Sequence, residues 1–228
     1  MSCDGKQAHP APWITFEGIE GSGKSTQLER LAARLRRAGI APTVTREPGG
    51  TDLGKHLRAL LLDPGRAGMD PMAELLLYAA DRAQHVAEVV EPALREGRVV
   101  LCDRHLDATL AYQGYGRQLG VERILEIHRH PPLDRRPRRT LLFDLDPAVA
   151  LARARRRNRE RGVDETEGRF ERERLDFHVR VREGYLALAA AAPERIRVLE
   201  AARPVDDVER EVGGALLDLL PALEDEGH

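Results

Sequence analysis

The sequence predicts an α/β fold in which a parallel five-stranded sheet is covered by helices on both faces. Three observations predict it. Five short runs rich in apolar and β-branched residues, WITFE (13–17), PTVTR (42–46), RVVLCD (98–103), RTLLFDLD (139–146) and IRVLE (196–200), are separated by longer stretches of helical character. Several runs are apolar at consecutive positions, so both faces of those strands are buried, as in a parallel sheet with helices above and below. Turn chemistry separates the elements: Gly39, the EPGGT segment (47–51) and a loop of Asp, Pro and Gly at 63–71. In such sheets ligands gather at the carboxyl ends of the strands, where Gly18, Glu47 and Asp103 lie.

Each element has its own justification. WITFE ends at Gly18, and from Lys24 the residues Leu28, Leu31, Ala32 and Leu35 recur at the spacing of an amphipathic helix, which Gly39 stops. PTVTR is the second strand, and EPGGT leads into a helix running to about Leu62. Met72 to Arg95 is helical in character, with a kink or break expected at Pro92. RVVLCD is a nearly continuous apolar strand ending in an acid, and residues 105–130 are mainly helical around a Gly-rich turn at 114–116. After RTLLFDLD, Asp146 is an N-cap and Pro147 takes the first helical position. That helix carries the arginines of 153–161, a polar segment spans 162–169, and a long helix runs to about Ala192. IRVLE and an amphipathic helix from about Val205 to Leu220 complete the unit. Residues 13–220 thus form one domain, with 1–12 and 221–228 as tails.

Composition narrows the function classes. A chain of 228 residues that is 42% hydrophobic and 32% charged is an ordinary globular domain, neither disordered nor collagen-like. A net charge of −2 disfavours a globally basic nucleic-acid binder. Residues 1–12 lack the apolar core of a signal peptide, and no stretch approaches the roughly 18–20 apolar residues of a spanning helix, so no membrane partner is expected. Two cysteines, Cys3 and Cys102, fit a reduced, cytoplasmic setting. Only three of the 36 basic residues are lysines, so arginine clusters are discounted and Lys24 stands out.

Gly18-Ile19-Glu20-Gly21-Ser22-Gly23-Lys24-Ser25 satisfies G-x-x-x-x-G-K-[ST], between an apolar strand and an amphipathic helix. Glycines there let backbone N–H groups curl around phosphates, the helix N-terminus through Thr26 adds donors, Lys24 reaches the outer phosphates, and Ser25 can ligate Mg²⁺. This is the signature of the P-loop NTPase fold, with a nucleoside triphosphate and Mg²⁺ as ligands. A dinucleotide-binding G-x-G-x-x-G fails, because the third glycine position is Thr26. Asn158 is the only asparagine, so neither a guanine-reading Asn-Lys-x-Asp nor a protein-kinase catalytic loop is present. Small-molecule kinases and ATPases are left.

TREPGGTDLGKHLR (45–58), LLLYAADR (75–82) and CDRHLDATLAYQGYGR (102–117) resemble the signature blocks of bacterial thymidylate kinase, in the family's order over about residues 13–220. The resemblance implies ATP-dependent phosphorylation of dTMP to dTDP with Mg²⁺, a mobile lid at about 153–172, and a homodimer. It implies that Asp103 acts on the metal with Ser25, and that Arg104, Arg58 and Arg82 hold the acceptor phosphate and its surroundings. It further implies that Tyr78 stacks on thymine, that Thr109 and Gln113 meet the pyrimidine edge, that Tyr112 lies near C2′, and that Glu47 lies near sugar and metal. His105 stands where the family commonly has an aromatic, and is assigned to packing near the site. His128-Arg-His130 lacks the spaced partners of a metal site.

The sequence also departs from the pattern. Asp107-Ala108-Thr109 replaces D-S-[ST], and Gly168-Arg169-Phe170-Glu171 stands where the lid has D-R-x-E, after a segment that looks longer than usual. Glu20 puts an acid in the phosphate loop, resembling the bacterial type in which lid arginines supply the positive charge. Arg153, Arg155, Arg156, Arg157, Arg159, Arg161 and Arg169 are the candidates, with Arg169 first and Arg153 second. Two rivals stay open here: a P-loop kinase of another nucleotide or deoxynucleoside, and a nucleic-acid-binding ATPase using the 153–161 patch.

Overall fold

A computed structural model describes residues 11–161 and 168–223. Strands β1 (Trp13–Glu17), β2 (Thr43–Arg46), β3 (Val100–Asp103), β4 (Arg139–Asp144) and β5 (Ile196–Glu200) form one sheet in the order β2-β3-β1-β4-β5. Every pair is parallel. Phe16 and Arg46 both pair with Asp103 in register, so the strand exits at Gly18, Glu47 and Arg104 lie side by side. The middle of the sheet is buried throughout, as its unbroken apolar runs predict. Ile14 and Phe16 join the main core, while Trp13, Val100 and Cys102 pack with Val86, Val90 and Ala93 on a second one.

The helices are α1 (Lys24–Arg37), α2 (Asp52–Leu62), α3 (Pro71–His85), α4 (Glu91–Arg95), α5 (Leu106–Thr109), α6 (Val121–Ile127), α7 (Pro147–Arg161), α8 (Leu175–Ala191) and α9 (Val205–Gly214). Local chemistry starts them where expected. Thr51 Oγ1 accepts from Gly54 N at 2.9 Å, and Asp146 Oδ1 accepts from Ala148 N at 2.9 Å with Pro147 at the first position. Caps of this kind are worth about 1 kcal/mol each. No side chain caps α1; its N-cap is Gly23, at φ 90°. Its first amide donors are therefore left for a ligand.

Besides strand ends that move by one or two residues, three features differ from expectation. Gly114 and Gly116 make no turn; they sit within a π-helical segment, Leu110–Gly116, between α5 and the loop before α6. Pro92 does not end the helical run that begins at Pro71: a π-helical turn at Val86–Val90 lies just before it, and α4 carries the run on through Pro92 to Arg95. The last helix, α9, stops at Gly214, and Pro221–Leu223 forms a 3₁₀ turn with Leu223 buried and bonded to Arg34, so the packed body runs past residue 220. The tail readings for 1–10 and 224–228 and the 162–167 part of the lid fall outside the described residues.

Candidate active site

The phosphate loop bridges β1 and α1. Gly21 has φ 81°, and a Cβ there would lie 2.1 Å from Ala150 O; only glycine lets the loop pass α7 this closely. Lys24 Nζ donates to Gly18 O and Ile19 O, each at 3.0 Å, so the side chain is curled back over its own loop. Burial, aided by the charge of Arg104, draws Lys24 below the ordinary lysine range. Ser25 Oγ donates to Asp103 Oδ2 at 3.0 Å. Ser22 is buried and its hydroxyl has no partner among the described residues.

A cleft of about 350 Å³ opens over this loop, lined by Glu20, Gly21, Gly23, Lys24, Ser25 and Thr26, with Asp103, Arg104, Glu47, Arg58 and Arg169. A second, of about 60 Å³, adjoins it and is lined by Tyr78, Arg82, His105, Thr109, Tyr112 and Gln113. Glu20, Glu47, Arg58, Leu62, Arg104 and Phe170 line both.

Arg104 occupies that common wall. It follows β3 with φ 71°, a conformation few side chains adopt. Its Nη2 donates to Glu20 Oε1 at 2.6 Å and to Tyr112 OH at 3.2 Å, and its Nη1 donates to Tyr185 OH at 3.1 Å. Burial opposes ionisation of Glu20, but Arg104 and then Lys24 outweigh it and hold the carboxyl well below its usual range. Burial pushes Tyr112 up to about 12, so it stays a neutral phenol. Beneath Arg104, Glu17 accepts from His105 N at 2.7 Å and Tyr185 OH at 2.8 Å; burial, reinforced by Asp107, pushes it up to about 8.

A buried polar network underlies the second cleft. Arg82, 1% exposed, donates from Nε to Glu47 Oε2 and from Nη2 to Thr109 Oγ1, both at 2.9 Å. Glu47 also takes His85 Nδ1 at 2.7 Å and His105 Nδ1 at 2.8 Å. Its burial favours the neutral form, but His105 and Arg82 prevail and keep it ionised. His128 Nδ1 donates to Ile124 O at 2.7 Å, which leaves Nε2 to accept from Arg82 Nη1 at 2.9 Å; burial pushes this ring down to about 4. Asp81 Oδ1 accepts from Gly49 N at 3.1 Å, tying the 47–51 loop to α3.

Most residues singled out in the sequence gather at these two clefts. Arg153 does not line them: its Nη1 donates to Ala201 O. Arg169 does line the first cleft, with Nε on Leu61 O at 2.7 Å and Nη2 on Glu74. Asp107 turns away into a paired contact with Arg195, at 2.6 and 2.9 Å. Sequence reasoning missed Arg46 in the first cleft and placed Arg153 ahead of Arg157, which lines it; beneath the second cleft it missed Glu74, His85 and His128. Helical spacing was the available signal for Glu74, since Glu74, Tyr78, Arg82 and His85 share one face of α3.

Known proteins resemble this chain over most of its length. A profile described as Thymidylate kinase matches residues 16–212. The thymidylate kinase of Solidesulfovibrio magneticus is 54% identical over 208 residues, covering 91% of this chain and 100% of that protein. That of Geobacter sulfurreducens is 51% identical, covering 92% and 98%. The crystal structure of thymidylate kinase from Ehrlichia chaffeensis superposes with a TM-score of 0.70 at 31% identity, covering 91% of this chain and 99% of that one.

Proposed function

The chain belongs to the thymidylate kinase family and phosphorylates dTMP to dTDP, and on that premise we propose how its residues divide the work. The observation that carries the proposal is the common wall. ATP phosphates occupy the loop cleft, dTMP occupies the adjoining one, and Arg104, which lines both, meets the acceptor phosphate where the two anions approach. A guanidinium fork suits that task, because it meets two phosphate oxygens at once. Lys24 and the amides from Gly18 to Thr26 hold the donor phosphates. Glu47, Arg58, Tyr78, Arg82, Thr109, Tyr112 and Gln113 form the dTMP cleft.

The residues at the loop fit Mg²⁺. Asp103 Oδ1 is buried without a hydrogen-bond partner among the described residues, and the Ser25 hydroxyl lies against Oδ2, a pair of hard oxygen ligands. Ser25 and Asp103 would hold the ion, which when bound neutralises charge developing on the transferred phosphoryl group. Of the α7 arginines described, Arg157 lines the phosphate cleft and comes within 4.0 Å of Glu20, which supports it ahead of Arg153 for the lid role. Arg169 remains a lining residue, with its guanidinium held by Glu74 and Leu61 O.

Steady-state kinetics of Arg104→Met test the assignment. The expected result is a fall of about 10²-fold or more in kcat/KM for dTMP, with KM for ATP little changed. A raised KM for ATP with dTMP kinetics intact would assign Arg104 to the donor instead. The reading includes a cytoplasmic homodimer, supported by the half-exposed Leu53 on α2 and Leu76 on α3, apolar surface that a second copy would cover. A single-chain mass by light scattering at assay concentration would remove the dimer.

A further inference from the structure

Glu74 is a fully buried acid that neither the motifs nor the transfer chemistry uses. It lies on α3 one turn before Tyr78, under the acceptor cleft. Its Oε1 accepts from Gln113 Nε2 at 2.6 Å. Arg117 donates to both of its oxygens at 3.3 Å, and Arg169 Nη2 donates to Oε2. Guanidinium groups donate to both oxygens of Glu74, and a carboxylate oxygen accepts hydrogen bonds but donates none. Gln113 must therefore give Glu74 its amide nitrogen. The chemistry of the partner thus fixes the amide orientation, and the carbonyl oxygen Oε1 is the end left for the cleft that Gln113 lines.

That polarity distinguishes the pyrimidines. Thymine presents N3–H, a donor, between two carbonyls; cytosine presents a bare N3 lone pair beside an amino group. A fixed carbonyl oxygen accepts from the first and meets lone pair against lone pair with the second. We propose that Glu74 is a positioning residue that sets the choice of thymine over cytosine by locking the side-chain amide of Gln113. The inference rests on the reading of Gln113 as the residue that meets the base.

The test compares kcat and KM for dTMP and dCMP in the wild type, Glu74→Gln, Glu74→Asp and Gln113→Ala, with folding followed by circular dichroism. A glutamine at 74 donates as well as accepts, so the Gln113 amide is free to turn over. Glu74→Asp keeps the charge for the arginines but withdraws the oxygen from Gln113, and serves if the glutamine variant does not fold. In either, dTMP-over-dCMP selectivity is expected to fall about tenfold or more, carried mainly by KM, with kcat/KM for dCMP rising in absolute terms. A folded Glu74 variant that loses both substrates equally, or keeps the wild-type ratio, overturns the proposal. Gln113→Ala separates this from the reading beneath it. An unchanged ratio in that variant removes Gln113 as the base reader, whereas a collapsed ratio there with an intact one in Glu74→Gln overturns Glu74 alone.

Discussion

Glu20 sits in the phosphate loop with a charge opposite to that of Lys24, Arg104 and Arg157 around it, and its position accounts for this. It holds Arg104 Nη2 at 2.6 Å and lies 4.0 Å from Arg157, so it is an anion that two cleft arginines share. On the proposed assignment of Arg104 to the acceptor phosphate, that phosphate competes with Glu20 for the guanidinium. Glu20→Gln removes the competitor while preserving shape. The dissociation constant for dTMP, measured by calorimetry without ATP, is expected to fall about threefold to tenfold, equivalent to about 1 kcal/mol for a partly exposed pair. Weaker binding would mean that Glu20 aims Arg104 rather than restraining it. The same residue marks how far the sequence carries: its acid pointed to an arginine from the lid, but spacing alone did not distinguish Arg157, which lines the cleft, from Arg153, which bonds Ala201 O.

At the scale of elements, the legible features were those dictated locally. WITFE and IRVLE are strands over their full lengths, α2 ends at Leu62, and Asp146-Pro147 opens α7. Elements whose form depends on distant partners were not legible. Gly114 and Gly116 carry turn chemistry by themselves, but α8 packs directly on the 110–116 segment and overrides it. A Cβ at Gly116 would lie 2.7 Å from Phe177 Cε2, and one at Gly184 would lie 2.6 Å from the Tyr115 ring. Glycine therefore serves close helix packing on both surfaces, and that contact holds Tyr112 and Gln113 in the wall of the smaller cleft. The same division separates the site residues. Arg82, Thr109 and Gln113 belong to blocks that recur as motifs, whereas Glu74, His85 and His128 act through another side chain and show themselves only when α3, α6 and the strand exits come together.

For the molecule as a whole, crowding ionisable groups at the carboxyl end of the sheet makes folding stability depend on pH, and Glu17 shows the direction. It is fully buried; burial and repulsion from Asp107 raise its pKa to about 8, against the attraction of Arg104 and the donors His105 N–H and Tyr185 OH. In the unfolded chain it loses its proton near the ordinary value of 4.5, while the folded protein keeps that proton up to about 8. Between those values the native state binds more protons than the unfolded state, so the contribution of Glu17 to stability falls as pH rises and levels off above about 8. Glu17→Gln keeps an acceptor for His105 N–H and removes the buried charge. Thermal unfolding is expected to give nearly equal Tm values for the two proteins at about pH 5, where Glu17 is largely neutral in the fold. At about pH 8.5 the variant is expected to be more stable by a few kcal/mol, roughly 5–10 °C for a chain of this size. A Tm difference that does not change with pH would show that Glu17 folds as a permanently charged partner of Arg104, with attraction outweighing burial at the centre of the site.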